Sequence, residues 1–306
     1  MTATFVAAAD ATGIACAVEL LRAGKIVALP TETVYGLAGD ATSAKAVAAI
    51  YIAKGRPSFN PVIVHVADLP AADALVEINA TARALAVRFW PGPLTLVLPM
   101  RPGTGIVSDV TAGLATLAVR VPAHPVMQAV LAAFGCPLAA PSANASGTIS
   151  PTTAAHVLAT LGGRIPLIVD GDATPGGLES TIVGIDGHRV SLLRPGGTPA
   201  EMLDINATAG SSITAPGQLA SHYAPSQPLR LNATTAAADE FLIGFGAVSG
   251  NITLSATGDL AEAAAALFAA LHTAQASGAA RIAVASVPDI SLGVTINDRL
   301  RRAATR

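Results

Sequence analysis

The chain contains 306 residues, of which 52% are hydrophobic and 12% are charged, and its net charge at pH 7 is −2. A domain usually spans about 100 to 200 residues, so this length predicts one large and one small domain. The net charge argues against a protein that coats nucleic acid broadly, because such proteins carry a strong basic excess. Any anion site must therefore be local.

The sequence also predicts a protein that does not associate with a membrane. The most apolar stretch, 261–271, contains a glutamate and is shorter than the roughly 18 apolar residues of a membrane span. Residues 1–10 lack the basic segment of a signal peptide. We expect a cytoplasmic protein. Its cysteines, Cys16 and Cys136, are expected to be buried thiols, since two are too few for a disulfide framework or a four-ligand zinc site.

The N-terminal part begins with a predicted helix and strand. Residues 10–23 show helical spacing, with Asp10 or Thr12 as the N-cap. Residues 25–29 form a short β-rich run that ends at Pro30 and brings a polar segment to a strand end, where sites in α/β sheets lie. The polar side chains could satisfy a turn or recognise a small polar ligand, and their density favours the ligand. They are Thr31, Glu32, Thr33 and Tyr35.

The segment 54–61, KGRPSFNP, places two cations, an amide and two prolines within eight residues. It follows a predicted helix whose N-cap is Ser43. The helix dipole is negative at its C-terminal end, so it does not help this segment to bind an anion. Gly55 and the prolines predict a stiff loop from which Lys54 and Arg56 project. Lysine offers a point charge and arginine a planar fork for phosphate or carboxylate. The segment therefore indicates an anion-binding loop, with a solvated basic turn as the alternative.

Two further predicted strands each carry one polar side chain in an apolar run. His65 lies late in the strand 62–66, where a lone histidine is more often a structural residue. Arg120 lies in the strand 116–122. A buried guanidinium is costly without a partner, so Arg120 needs either an internal carboxylate or a ligand.

Four junctions between a strand and a loop carry hydroxyl or guanidinium groups, which predicts one shared cleft. The first is the polar segment after residues 25–29. At the other three, the apolar segment 137–140 leads into PSANASG, a Gly-rich turn over 176–183 holds Ser180, and the strand 190–193 ends at Arg194. The remaining predicted elements of this part are helices over 81–89 and 124–134, a helix opened by Ser150 and Pro151, and strands over 94–98 and 165–170.

The C-terminal part reads as a linker followed by a small α/β domain. Residues 198–228 lack periodicity, and beyond them a strand, a helix, a strand and a helix are predicted over 240–245, 259–275, 281–287 and 294–304. The glycines of 244–250 resemble a dinucleotide fingerprint, but their spacing is wrong and no helix follows. The remaining basic residues, Arg299, Arg301 and Arg302, are expected on a solvated helix face.

The sequence shows no Walker A motif, nucleophile elbow, zinc-type His/Glu pair or metal carboxylate cluster, so it gives poor support to a covalent or protein-metal mechanism. Cations and hydroxyls suit a reaction in which the substrates supply both nucleophile and leaving group, while the protein positions them and neutralises phosphate charge. Adenylate formation is such a reaction.

The pair of motifs Lys54-x-Arg56 and Ser142-x-Asn144 resembles the signature of the YrdC-like threonylcarbamoyl-adenylate synthases. The linker segment HYAP and the small C-terminal domain resemble the long, two-domain form of that family. The resemblance implies an α/β protein with a large twisted-sheet domain over 1–200 that holds a ligand cleft, a linker or lid over 201–228, and a small Rossmann-like domain over 229–306. Further matching segments follow in the family's order at 30–37, 91–96, 119–122, 180–183 and 194–196.

The resemblance implies that L-threonine, bicarbonate and ATP, with Mg²⁺ carried by the nucleotide, become threonylcarbamoyl-AMP and pyrophosphate. The product would serve the threonylcarbamoyladenosine (t6A) modification of tRNA by other proteins, and direct contact with tRNA stays open. The resemblance also assigns catalysis to Lys54 and Arg56. It implies that His65 binds a ligand and is not merely a structural residue. The implied threonine site is Thr33, His65, Arg120, Ser180 and the backbone near Ala140. The implied ATP site is Lys54, Arg56, Asn60, Thr116, Ser142, Asn144, Ser150, Arg194 and Tyr223, with no metal site on the protein.

Two alternatives accompany this prediction. A non-catalytic RNA-binding module could use the same basic cleft, although the net charge and the few aromatic residues speak against it. A carbamoyl-transfer enzyme of hydrogenase maturation would share the fold, but the Cys-rich zinc segments that such enzymes resemble are missing. Within the main prediction, the segment around Tyr223 is expected to fold over the ATP site and exclude water from the adenylate.

Overall fold

The structure is a computed structural model that describes residues 3–203 and 223–305. Within these ranges the chain forms a ten-stranded mixed sheet and a four-stranded parallel sheet, each packed with helices. The strands of the large sheet are β1 (Phe5–Ala8), β2 (Val27–Leu29), β3 (Gly36–Asp40), β4 (Val64–His65), β5 (Leu94–Pro99), β6 (Thr116–Arg120), β7 (Leu138–Ala139), β8 (Leu167–Asp170), β9 (Thr181–Asp186) and β10 (Arg189–Arg194). This mixed α/β architecture confirms the predicted fold class.

The large unit contains seven α-helices among the described residues, and a 3-10 helix, Ala200–Leu203, follows β10. The helices are α1 (Ala11–Arg22), α2 (Ala44–Lys54), α3 (Leu69–Asp73), α4 (Ala80–Phe89), α5 (Ser108–Thr111), α6 (Pro125–Phe134) and α7 (Ala154–Leu161). The small unit consists of β11 (Leu229–Arg230), β12 (Glu240–Gly244), β13 (Ile252–Thr253), α8 (Leu260–Ala276), β14 (Arg281–Val284) and α9 (Leu292–Ala304).

The order of strands in the large sheet is β1-β8-β2-β3-β7-β4-β6-β5-β9-β10. Parallel pairing of β4 and β6 places His65 opposite Arg120. Parallel pairing of β5 and β9 places Leu94 opposite Thr181, and β5 runs antiparallel to β6. The ends of β4 and β6 therefore meet the beginnings of β5 and β9 at one edge of the sheet, and Arg194 reaches the same edge at the end of β10.

Helices cover both faces of the large sheet, which explains why its strands are apolar runs rather than alternating ones. In β2, Ala28 packs into a cluster with α2, α4 and α7. Its neighbours Val27 and Leu29 pack on the opposite face into a cluster with α1 and α6, as the alternation of side chains along a strand requires.

The predicted N-caps of α1 and α2 are confirmed, and that of α7 is wrong. Asp10 accepts a hydrogen bond from the backbone N–H of Gly13, and Ser43 accepts one from Ala46. Helix α7 is capped by Thr153 rather than Ser150. Ser150 is instead fully buried, and its hydroxyl donates to the carboxylate of Glu179. The Ser150 hydroxyl therefore links two segments that are distant in the sequence and does not cap a helix.

The small sheet has the order β11-β14-β12-β13. Strands β11 and β13 were not predicted, because each pairs over two residues only. The Gly-rich segment after β12 leads into β13, so no dinucleotide-binding turn and helix form there. The core of this unit includes residues from the large unit and from the end of the predicted linker, namely Val34, Ile149, Leu178 and Tyr223. The two units thus share one buried interface.

Two predictions about exposure are wrong. Cys16 and Cys136 are exposed rather than buried. Arg299 is completely buried although it was expected on a solvated helix face, because it pairs with the buried Glu179. Arg301 is exposed as predicted, and Arg302 is partly buried next to Asp298. Among the described residues, none of the helices combines the length and the apolar character that crossing a bilayer requires. Residues 204–222 of the predicted linker, including Ser221 and His222, lie outside the described residues.

Candidate active site

A cavity lies at the sheet edge where β4 and β6 end and β5 and β9 begin. It brings together three guanidinium groups and several hydroxyls, as the strand-to-loop junctions predicted. All the side chains predicted to hold threonine line it, together with the backbone at Ala140. The lining residues are Thr31, Thr33, Val34, Gly36, Arg56, Ile63, His65, Arg120, Ala140, Pro141, Ser142, Glu179, Ser180, Arg194 and Tyr223.

Arg120 is held by three acceptors from two other segments. Its Nε donates to the carbonyl oxygen of Gly92 at 3.1 Å, Nη1 to Thr33 Oγ1 at 3.0 Å and Nη2 to Glu32 Oε1 at 2.5 Å. Of the two partners considered for Arg120, the internal carboxylate is therefore present. Burial alone would raise the pKa of Glu32, but the charge and hydrogen bond of Arg120 hold that pKa below its ordinary value. Glu32 thus stays ionised beside the cavity.

His65 is buried beside Arg120 and faces the cavity. Its Nδ1 has no hydrogen-bond partner among the described residues. Burial, and then the positive charge of Arg120, lower the pKa of His65 to about 3. The imidazole is therefore neutral near pH 7, so one ring nitrogen donates and the other accepts a hydrogen bond. A buried polar atom without a protein partner at a cavity wall is suited to a ligand.

Lys54 does not project into the cavity as expected. It is the last residue of α2, only 3% exposed, and its ammonium donates to the backbone oxygens of Ser142 and, at 2.6 Å, of Asn144. Gly55 takes the left-handed conformation, with φ of 61°, and ends the helix. The loop 142–146 covers the lysine, since Ser146 N–H donates to the carbonyl of Lys54. Burial, and then the charge of Arg56, lower the pKa of Lys54 well below its ordinary value.

The second cation of the loop, Arg56, does reach the cavity wall. Its Nε donates to the carbonyl oxygen of Asn60 at 3.1 Å and its Nη2 to that of Pro61 at 2.7 Å. These contacts fix the guanidinium against the loop that Pro57 and Pro61 stiffen. The side chain of Asn60 is buried, and its Oδ1 has no partner among the described residues.

The loop after β7 is shaped by its own side chains. Ser142 Oγ donates to Asn144 Oδ1 at 2.6 Å, and the amide of Asn144 donates to the carbonyl oxygen of Thr148 at 2.9 Å. Ser142 lines the cavity, whereas the buried Asn144 does not. Asn144 therefore supports the loop conformation that Lys54 also holds.

The opposite wall is formed by the start of β9 and the end of β10. Arg194 Nη2 donates to the backbone oxygen of Ser180 at 2.8 Å and lies 3.1 Å from its Oγ. Thr95 Oγ1 is 2.8 Å from the same hydroxyl. Burial lowers the pKa of Arg194 to about 10, so it remains a cation at neutral pH. The ring of Tyr223, which is 1% exposed, completes this wall.

Five of the nine residues predicted to contact ATP do not line the cavity. They are Lys54, Asn60 and Asn144, whose positions are given above, and Thr116 and Ser150. Thr116 begins β6 and lies at the opposite end of that strand from Arg120. Ser150 is buried behind Glu179. The sequence missed Glu179 as a site residue, although its position in a Gly-rich turn before β9 was visible. The sequence marks Thr31 only as one member of a polar segment, whereas the structure places it in the cavity wall. Among the described residues, no cluster of three or more His, Cys, Asp or Glu side chains could hold a metal.

Fold and site define an α/β protein whose cleft offers fixed cations and hydroxyls to a small anionic ligand. Residues 19–196 match the Sua5/YciO/YrdC family model, which is described as telomere recombination. Residues 198–305 match the model described as threonylcarbamoyl-AMP synthase, C-terminal domain. Together these matches span nearly the whole chain.

Similar proteins agree with both matches. The threonylcarbamoyl-AMP synthase of Bacillus subtilis is 40% identical over 95% of this chain and 92% of its own length. That of Pyrococcus abyssi is 38% identical over 95% and 94%. The crystal structure of P. abyssi Sua5 complexed with L-threonine superposes with a TM-score of 0.89 and 35% identity, covering 99% of this chain and 98% of that one. The chain belongs to the threonylcarbamoyl-AMP synthase family and is an enzyme, which is at odds with a non-catalytic RNA-binding module.

Proposed function

We propose that this enzyme converts L-threonine, bicarbonate and ATP into threonylcarbamoyl-AMP and pyrophosphate. The observation that carries the proposal is the single cavity in which Arg56, Arg120 and Arg194 face the hydroxyls of Thr33 and Ser180. Fixed guanidinium groups are suited to a carboxylate and to phosphates at once. The proposed substrates include a carboxylate on threonine and phosphates on ATP, so the site must bind both kinds of group.

In the first step, the amino nitrogen of threonine attacks the carbon of bicarbonate and forms a carbamate, with loss of water. Arg120 would bind the threonine carboxylate from the guanidinium face that Glu32 leaves open, and Thr33 is hydrogen-bonded to that guanidinium. Neutral His65, with its free Nδ1, would take a further polar group of the amino acid. Ser180 and the backbone at Ala140 complete the proposed threonine site.

In the second step, a carbamate oxygen attacks the α-phosphorus of ATP, and the bond to the β-phosphate oxygen breaks to release pyrophosphate. No protein nucleophile takes part, so the enzyme acts by positioning and by stabilising phosphate charge. Arg56 and Arg194 contact the cavity directly, while Lys54 and Asn144 act by holding the loop of Ser142. Mg²⁺ would enter with the nucleotide.

The product is a mixed anhydride of a carbamic acid and AMP, which water hydrolyses. Such a compound needs a closed site and a prompt acceptor. We propose that tRNA-modifying proteins in the cytoplasm use it to attach the threonylcarbamoyl group to adenosine in tRNA. We propose that Tyr223, which lines the cavity, contacts the bound nucleotide.

The deciding experiment mixes the purified protein with ATP and measures pyrophosphate release in the presence of threonine or of other amino acids, each tested separately. Bicarbonate is removed from one series by degassing the buffer at low pH before neutralisation. The proposal expects release that requires both threonine and bicarbonate, and mass spectrometry should detect threonylcarbamoyl-AMP. Pyrophosphate release that persists without threonine or without bicarbonate would show that the assignment is wrong.

A further inference from the structure

One side chain of the small unit, Arg299 on α9, reaches the wall of the cavity from behind. It is fully buried. Its Nε donates to Glu179 Oε2 at 2.8 Å, and its Nη2 donates to the carbonyl oxygen of Pro195 at 2.8 Å. Its Cζ lies 4.9 Å from the ring centroid of Tyr223, within the range of a cation–π contact. Both Glu179 and Tyr223 line the cavity.

The carboxylate of Glu179 is held on both oxygens. Ser150 Oγ donates to Oε1 at 2.5 Å, while Arg299 occupies Oε2. Burial alone would raise the pKa of Glu179, but Arg299 first and Arg194 second hold that pKa below its ordinary value. Tyr223 is a further titratable group near this carboxylate, and Asp298, which is itself paired with Arg302, forms an ion pair with Nη1 of Arg299. Glu179 is therefore an ionised group near two buried cations, Arg194 of the large unit and Arg299 of the small unit.

The backbone before Glu179 is also held by the small unit. A Cβ placed on Gly177 would lie 2.5 Å from the backbone of Ala264 and Ala265, so the turn touches α8 directly. The side chain of Leu178 is buried in the core of the small unit. On the far side of the turn, Thr295 Oγ1 donates to the carbonyl oxygen of Gly196 at 3.0 Å. The small unit thus supports this wall of the cavity along several consecutive residues.

We propose that Arg299 is a positioning residue of the reaction, which fixes Glu179 and Tyr223 at the cavity and so makes the small unit part of the catalytic site. This inference rests on the proposed function, because it concerns the same cavity. It differs from a purely structural role in one respect: Arg299 keeps Glu179 charged as well as in place. Loss of the guanidinium would leave the carboxyl buried with Arg194 as its remaining cation and would favour its protonation.

The test compares Arg299→Met, Arg299→Lys, Glu179→Gln and the double variant Arg299→Met/Glu179→Gln with the wild type in the full-length protein. Arg301→Met on the exposed side of the same helix is the matched control. For each protein, kcat/KM for threonine-dependent pyrophosphate release is measured between pH 6 and pH 9, and thermal unfolding is recorded at both ends of that range.

We expect Arg299→Met to lose about 10-fold or more in kcat/KM at pH 7, with a larger loss at pH 6 than at pH 9, since high pH restores the charge of Glu179. Arg299→Lys should keep the pH profile of the wild type. Glu179→Gln should lower activity equally across the range, and in the double variant the extra pH dependence should vanish. Arg301→Met should stay close to the wild type.

A loss in Arg299→Met that is equal at every pH, or a pH dependence that survives in the double variant, would reduce Arg299 to a structural role and overturn the inference. If Arg299→Met does not fold, the pH profiles of Arg299→Lys and Glu179→Gln test the inference in its place. A profile of either variant that departs from the expectation given above overturns it. Absence of threonine- and bicarbonate-dependent release in the wild type would instead defeat the proposed function. The melting curves then still test the link, because coupled residues should give non-additive changes in melting temperature.

Discussion

Glu32 Oε1 lies 2.5 Å from Nη2 of Arg120, which ties the polar segment after β2 to the end of β6. The arginine side chain is 4% exposed and that of the glutamate 15%. A buried guanidinium is costly to separate from its carboxylate, so this pair orients Arg120 before any substrate binds. Under the proposed function, the threonine carboxylate would meet a guanidinium that is already fixed and desolvated.

Replacing Arg120 by methionine should destabilise the fold by about 3 kcal/mol, because Glu32 is left as an uncompensated charge. The double variant Arg120→Met/Glu32→Gln should recover part of that loss, since the charge has gone. Urea unfolding at pH 7 measures both. Equal stabilities of the single and double variants would show that the ion pair contributes nothing to the fold.

Lys54→Met and Arg56→Met should each slow pyrophosphate release about 10-fold or more, which corresponds to about 1.5 to 3 kcal/mol for a charge-assisted bond. The first variant releases the backbone oxygens of Ser142 and Asn144, and the second removes a cation from the cavity wall. Lys45→Met on the exposed side of α2 is the control. Near-normal turnover of both variants would mean that the loop 54–61 has only a structural function.

His272 on α8 stacks on His156 of α7, with ring centroids 3.7 Å apart, and its Nε2 lies 3.1 Å from the carbonyl oxygen of Ser150. Burial, and then the neighbouring histidine, lower the pKa of His272 from 6.5 to about 4. Between these values the unfolded chain binds more protons than the folded one, so stability is fully present above pH 6.5 and falls as the pH is lowered towards 4.

His272→Phe should therefore reduce the fall in melting temperature between pH 7 and pH 5, because the ring can still stack but cannot titrate. The baseline stability at pH 7 is a separate quantity, since the variant also loses the contact with Ser150. His188→Gln in the exposed turn after β9 is the control and should keep the slope of the wild type. An unchanged slope in His272→Phe would refute the role of this pair.

Gly177→Ala should lower both stability and activity more than Gly187→Ala does. Both glycines have positive φ, 68° and 57°, so both variants carry a similar backbone strain of about 1 to 2 kcal/mol. A Cβ on Gly187 meets open space, whereas one on Gly177 meets the backbone of α8 at 2.5 Å. Melting temperature and pyrophosphate release compare the two. Equal effects would show that the turn before Glu179 is free to move away from α8.

Local patterns in the sequence predicted most helices and strands of the fold. Asp10 and Ser43 cap the helices that they were expected to cap, and the apolar runs before Pro30 and after Pro61 form β2 and β4. The two-residue strands β11 and β13 escaped prediction, because pairs this short leave no periodicity. Thr153 rather than Ser150 caps α7, since the hydroxyl of Ser150 has a stronger acceptor in Glu179.

By itself, the sequence determined the α/β class, the order of the motifs and the presence of cations and hydroxyls at successive strand ends. These features depend on residues that are close along the chain, where caps, periodicity and turn chemistry act. Only the tertiary structure decided which charges meet. Arg299 and Glu179 are 120 positions apart. Lys54 does not line the cavity, and its ammonium donates to the carbonyl oxygen of Asn144, 90 positions away. A buried charge takes its position from the partner that offsets its desolvation, and no local stretch of sequence contains that partner.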